Sequence, residues 1–365
     1  MTKHVLLIFL SFLHVATSSA QLYPPFQAQV ADTAATGYYF LCPIKVPNPG
    51  GAFPATHLIL DGKGQVVYFR KFPAGVVSSD FKIQPNGWMS YSVGARFLFM
   101  DSTFTVVDSA VAQNGLLPDG HDIQVLPNGN YLILGNENVT MDLSAYPYFN
   151  PNGNSPGSAA ATVRSGVVQE LDPAKNVVFE WHAADHYDFA DVDPRYLGNP
   201  NNVDWTHYNA VELDADGNIL VSSRHFNEIT KISRADSSVI WRLGGKANQF
   251  DFINDSLAFF GQHDARRIAN GHLTLFDNGA ATSALHPAAA KEYRLDEAAM
   301  TAELVWKYVE NPQVFSSALG GVQRLDNGNT VINYGLYGNQ NVLFNVVDSL
   351  GNKVFEVQFD DSLAS

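Results

Sequence analysis

The sequence predicts an all-β protein, a six-bladed β-propeller of four-stranded antiparallel meanders. Three observations lead there. First, Pro85-Asn86-Gly87, Pro127-Asn128-Gly129, Asp216-Gly217, Asn270-Gly271 and Asn327-Gly328 each separate two apolar runs. Asn-Gly and Asp-Gly between alternating hydrophobics signal hairpins, because both turn residues must tolerate positive φ. Second, each hairpin is followed by another whose outgoing strand is β-branched and aromatic, as in Val66-Val67-Tyr68-Phe69, Val177-Val178-Phe179-Glu180-Trp181, Val239-Ile240-Trp241, Leu304-Val305-Trp306 and Val354-Phe355-Glu356-Val357. Third, no long segment carries a 3.6-residue apolar period, so no helix competes.

Two hairpins make one four-stranded unit, and six units follow, near residues 36–71, 78–110, 117–182, 204–243, 262–308 and 317–359. Residues 21–35 are placed to add a strand to the last unit and close a ring. Radial repetition of such units builds a propeller; a solenoid or sandwich is the alternative architecture. The Pro-, Asn-, Gly- and Asp-rich interruptions at 140–161 and 183–203 read as loops inserted on one face.

The chain of 365 residues has a formal net charge of −14, which disfavours nucleic acid or an anionic membrane as partner. At 46% hydrophobic and 16% charged it can bury a large core. Lys3 and His4, the apolar stretch Val5 to Val15 and the small residues Ser18, Ser19 and Ala20 read as a signal peptide over 1–20, with an N-terminal anchor as the alternative. Residues 21–365 then form a single propeller domain, with no membrane span expected after signal removal. Cys42 is the only cysteine, so no intrachain disulfide can form. An exported bacterial protein, periplasmic or secreted, is expected.

The candidate chemistry lies in His121, His207 and His263. Each opens the first strand of its unit, and the count from histidine to turn glycine is eight, ten and eight residues. Equivalent positions of a repeat return to equivalent places, so the three imidazoles should ring one mouth of the central channel. Hairpin counting sets Arg224 opposite His207, Asn278 opposite His263 and Asn136 opposite His121. Three imidazoles and a guanidinium suit an anion such as a sulfuryl or phosphoryl ester, with a neutral imidazole as nucleophile or base. Three histidines can also hold zinc or iron(II), which keeps a His-ligated metalloenzyme as an alternative, although Arg224 would repel a dication. A non-catalytic exported propeller binding a ligand or surface partner is the other alternative. No cofactor or resident metal is expected. Asp122 and Asp264, each directly after a cluster histidine, read as strand-start residues or as orienters of the imidazoles. His57, His182, His186, His225, His272 and His286 read as loop or solvated strand positions.

The stretches DWTHYNAVELDADGNILVSSRHFNEITKISRADSSVIWRLGG (204–245), GQHDARRIANGHLTLFDNG (261–279) and GHDIQVLPNGNYLILG (120–135) resemble the PAPS-independent arylsulfate sulfotransferase family. The resemblance implies a six-bladed propeller that passes a sulfuryl group from a phenolic sulfate donor to a phenol acceptor, without a nucleotide. It also implies His263 as nucleophile carrying a transient sulfohistidine in a ping-pong cycle. His207 and Arg224 would then hold the oxyanion, and His121 would be the remaining active-site histidine. With one cysteine and repeats starting near residue 36, the chain resembles a shorter, more divergent branch.

Overall fold

The computed structural model describes residues 23–30, 37–43, 54–148, 155–279, 286–336 and 342–359. Six small antiparallel sheets stand in a ring, forming a six-bladed β-propeller. The blades span residues 38–71, 78–110, 117–182, 208–244, 263–309 and 321–359, and are numbered 1 to 6 in that order. The expected signal peptide lies outside the described residues.

Blade 1 departs from the four-stranded expectation. Its described strands are Tyr38–Leu41, Thr56–Asp61 and Val66–Lys71. Among the described residues, Thr56–Asp61 and Val66–Lys71 are joined by a tight turn closed by Gly64 N–H to the Asp61 carbonyl at 2.9 Å. Closure of the ring follows the expectation. Phe26–Val30 pairs antiparallel with Lys353–Phe359 and becomes the fifth strand of blade 6. It also lies against blade 1: a Cβ on Gly64 would fall 2.3 Å from the Ala28 Cβ, so the ends of the ring meet at a glycine.

Side chains of the inner strands lace each blade to the next. The Gln84 side-chain carbonyl accepts from Val125 N–H at 2.9 Å, Asp122 from Val211 at 2.7 Å, Gln124 from Leu213 at 2.8 Å, Glu212 from Arg267 at 2.6 Å and Asp264 from Val322 at 2.9 Å. Inner strands of a propeller splay apart and leave backbone N–H groups unpaired, and these carboxyl and amide groups satisfy them. Asp122 and Asp264 therefore tie blades together; the reading as orienters of the neighbouring imidazoles is replaced by this role. Arg266 of blade 5 reaches past blade 4, bonding the Val211 carbonyl at 3.1 Å, to Asp122 of blade 3 at 2.8 Å, and also holds Asp264 at 2.9 Å. His57 is fully buried, stacked on Phe81 at 4.3 Å and bonded to Ser78 at 2.8 Å. It is a core residue, not a solvated one, because its ring fills the apolar gap between blades 1 and 2.

Burial raises the Glu212 carboxyl to about 7. The folded protein therefore holds this proton more tightly than the unfolded chain. The resulting stabilisation is present at acid pH and is lost as pH rises from about 4 to about 7. Glu212→Gln removes the titration and keeps an acceptor for Arg267. Its melting temperature is expected to exceed that of the parent at pH 8 and to match it closely at pH 5. An equal offset at both pH values in thermal melts would refute this origin.

The 183–203 insertion is packed rather than loose. It forms three short 3-10 turns, Ala183–Asp185, Phe189–Asp191 and Pro194–Tyr196, with Asp188 and Asp193 capping the last two. Tyr187 and Phe189 join Trp205 and Phe226 in the core between blades 3 and 4. The insertion ends in Asn202–Asp204, which runs parallel to Ala161–Leu171 and delivers the chain to His207.

Candidate active site

His207 directly precedes the inner strand of blade 4 and His263 opens that of blade 5, whereas His121, expected to open its strand, lies inside the inner strand of blade 3, Leu117–Val125, at its bulge; the structure brings the three together. The His121 and His207 rings are 5.1 Å apart, edge to face. Arg224, His121 and His207 all act on the charge of His263. At each histidine the inner strand is irregular: its pairing with the next strand slips between residues 118 and 123, 208 and 210, and 263 and 266. His207 itself has φ 48° and Asp264 has φ 53°. Bulges of this kind re-aim side chains at the end of a strand. The hairpin count holds for Arg224, whose N–H meets the His207 carbonyl at 3.0 Å.

The Nδ1 partner divides the imidazoles chemically. His121 Nδ1 bonds Asp119 at 2.7 Å, and Asn136 steadies the same carboxylate at 2.9 Å. Burial alone would lower the His121 pKa, but the charge and hydrogen bond of Asp119 outweigh it and raise it. His207 Nδ1 bonds the Asp204 carboxylate at 2.6 Å. Burial opposes ionisation of Asp204, yet His207 takes it down to about 2. His263 differs, because its Nδ1 donates to the neutral Asn278 side chain at 2.7 Å. It is 5% exposed, and burial together with the neighbouring cations lowers it to about 3. Its Nε2 is therefore an unprotonated acceptor, and in this state it accepts the Leu319 N–H at 3.1 Å.

Arg224 is 9% exposed. One Nη donates to His225 Nε2 at 3.0 Å and the other to the Ser317 carbonyl at 2.9 Å, while Nε is buried without a partner. Its guanidinium carbon lies 5.0 Å from the centre of the Tyr196 ring. His225, read from sequence as a loop or solvated strand position, does lie in the turn after Ile219–Ser223 but is not solvated: it is 7% exposed, stacked between Tyr196 at 4.0 Å and His207 at 4.5 Å. Sequence reasoning also missed Asp119, Asp204 and Tyr196. Asp-x-His at 119–121 and Asp-x-x-His at 204–207 were the available signal for the two acids, and nothing in the repeat pointed to Tyr196.

Asp204, His207 and His225 bring ligand atoms within 4.8 Å of one another. They suit a dication poorly: His225 Nε2 already accepts from a guanidinium, and both Nδ1 atoms are turned to Asp204. A cavity of about 390 Å³ opens beside the cluster, between the 191–194 segment and Phe252, Phe259 and Phe260, with Lys246 at its rim. Its lining includes none of the four cluster histidines.

A six-bladed propeller with an inner-strand histidine and arginine cluster is thus the class defined by fold and site. The chain belongs to the arylsulfotransferase (ASST) family, whose profile matches residues 27–364, nearly its whole length. Family and fold support an aryl sulfotransferase activity in general terms and small-molecule substrates. Among solved structures, the chain is similar to a protein of unknown function from Bacteroides caccae, at 13% identity and TM-score 0.53, covering 89% of this chain and 94% of that one. Virginiamycin B lyase from Staphylococcus aureus aligns at 9% identity and TM-score 0.43, covering 89% and 100%. A Xanthomonas campestris gluconolactonase aligns at 12% and TM-score 0.44, covering 83% and 78%. The first of these likenesses speaks to fold alone. No curated protein matches the chain. Among the described residues, no helix is long and apolar enough to cross a membrane.

Proposed function

We propose that this protein moves a sulfuryl group from a phenolic sulfate ester to a phenolic acceptor, with His263 as the transient carrier. The observation that supports this most is the division of labour among the imidazoles. His263 is held neutral with a lone pair on Nε2, while His121 is held toward the imidazolium beside it. The first is what a nucleophile needs, and the second is what a departing phenolate needs.

The donor sulfate enters against Arg224, whose buried Nε–H has no other partner. The Leu319 amide gives up His263 Nε2, which attacks sulfur as the ester S–O bond breaks. Positive charge on the equatorial oxygens supplies most of the stabilisation in a loose transition state of this kind. His121 gives its proton to the phenolate, and the phenol leaves. Asn278 keeps the Nδ1–H of the sulfo-imidazole engaged. An acceptor phenol then returns its proton to His121, its oxygen takes the sulfuryl group, and His263 is neutral again. The protein is read as exported, periplasmic or secreted, with residues 1–20 as its signal.

The direct test is release of nitrophenol from nitrophenyl sulfate by purified protein, with phenol as acceptor and no nucleotide or metal added. Acceptor-dependent turnover is expected. Folded protein inert toward a panel of aryl sulfates would refute the reading. Asp119→Asn removes the charge that raises His121, so its imidazolium is lost at lower pH. The alkaline limb of kcat is expected to move to lower pH, with little change in KM. An unmoved limb would exclude His121 as the proton donor.

A further inference from the structure

We propose that His225 is a positioning residue that holds the Arg224 guanidinium in the orientation needed to grip a tetrahedral anion. The two residues are adjacent in sequence, so contact between them would mean little by itself. The geometry is what separates this pair from chance neighbours. His225 Nδ1 donates to the Asp204 carbonyl at 2.6 Å, which fixes the tautomer and leaves Nε2 as an acceptor. Arg224 Nη1 donates to that Nε2 at 3.0 Å. The imidazole cannot turn away, because its two faces lie against Tyr196 and His207 at ring separations of 4.0 and 4.5 Å.

Arg224 is thereby held on three sides, by His225 Nε2, by the Ser317 carbonyl at 2.9 Å and by the Tyr196 face at 5.0 Å. A guanidinium has five N–H donors in one plane, so fixing two corners fixes the direction of the rest. The buried Nε–H, which has no protein partner, is a donor left for a ligand oxygen. Asp204 serves two histidines at once: its carboxylate orients His207 and its main-chain carbonyl orients His225. One residue thus sets both walls of the anion seat. Burial of His225 keeps it in the neutral form that an arginine can approach.

The test uses the whole chain and tungstate as a tetrahedral anion probe. His225→Phe keeps a ring between Tyr196 and His207 but has no acceptor; His225→Gln offers a side-chain oxygen near the lost Nε2. Tungstate affinity by calorimetry is expected to fall about tenfold in His225→Phe and to recover to within about threefold of the parent in His225→Gln. Melting temperatures identify any variant that fails to fold, and His225→Leu replaces phenylalanine in that case. In the kinetic arm, which rests on the sulfuryl-transfer reading, the Phe variant is expected to raise KM for the aryl sulfate more than it lowers kcat. Carbethoxylation of His263, followed by peptide mass spectrometry, is expected to proceed at the parental rate, since Arg224 and not the nucleophile has been disturbed. Parental tungstate affinity in the Phe variant, or a Gln variant as weak as Phe, would overturn the proposal. A parent that binds tungstate and shows the Phe–Gln contrast but turns over no aryl sulfate would sink the sulfuryl-transfer reading and leave this assignment standing.

Discussion

Replacing His263 by alanine is expected to lower kcat for aryl sulfate transfer by about a thousandfold or more, the usual scale for loss of a covalent nucleophile. The parental enzyme should release a burst of phenol equal to the enzyme concentration when the acceptor is scarce. It should also carry one sulfuryl group on the tryptic peptide that contains His263. Both signals should vanish in His263→Ala, while tungstate still binds through Arg224. The pH dependence is a second check. His263 lies at about 3, so its Nε2 carries no proton across the neutral range. A fall in kcat/KM between pH 5 and 7 would therefore belong to another group. His263 is 5% exposed, and its removal leaves a gap among buried groups, so a melting curve must accompany the rate. A folded alanine variant that turns over at the parental rate would remove His263 from the chemistry.

The ring and its mouth were legible because both depend on patterns that repeat. Turn dipeptides at Gly87, Gly129, Gly217, Gly271 and Gly328 gave the inner hairpins, and those glycines have φ between 83° and 85°. The opposition of His207 and Arg224 came from counting back from one of these turns, and it survives the slip between residues 208 and 210 of that hairpin. What stayed hidden does not repeat. The slips at His121, His207 and His263 fall within the first hairpin of each blade and take a different number of residues in each, so no shared pattern announced them. The insertion that carries Tyr196 has no counterpart in other blades, so equivalence arguments could not place it. The Nδ1 partners separate His263 from His121 and His207, and that distinction depends on side-chain geometry. Asn278 was placed opposite His263 by counting, but its hydrogen bond was not foreseeable. For Asp122 and Asp264 the orienter alternative failed, while the strand-start alternative fits Asp264, second residue of His263–Arg267. Sequence adjacency to a histidine suggested partnership, whereas alternation along a strand sends adjacent side chains to different neighbours.

Arg224→Lys tests whether charge or shape matters at the anion seat. A lysine retains the positive charge but cannot reproduce a planar fork tied to two acceptors. It would leave His225 Nε2 or the Ser317 carbonyl without its donor, and the Tyr196 face without its flat partner. The expected loss is about a hundredfold in kcat/KM, the scale for removing one preorganised donor to a developing oxyanion. Arg224→Ala is expected to lose more, and added guanidinium to restore part of that loss by occupying the space left between His225 and Tyr196. If the lysine variant keeps activity within about threefold of the parent, positive charge alone suffices and the directed fork has no role. If guanidinium rescues alanine but not lysine, the position of the donors is what the site uses. The lysine side chain then occupies the volume that the small cation needs, and its single ammonium cannot replace the two bonds that Arg224 makes to His225 and Ser317.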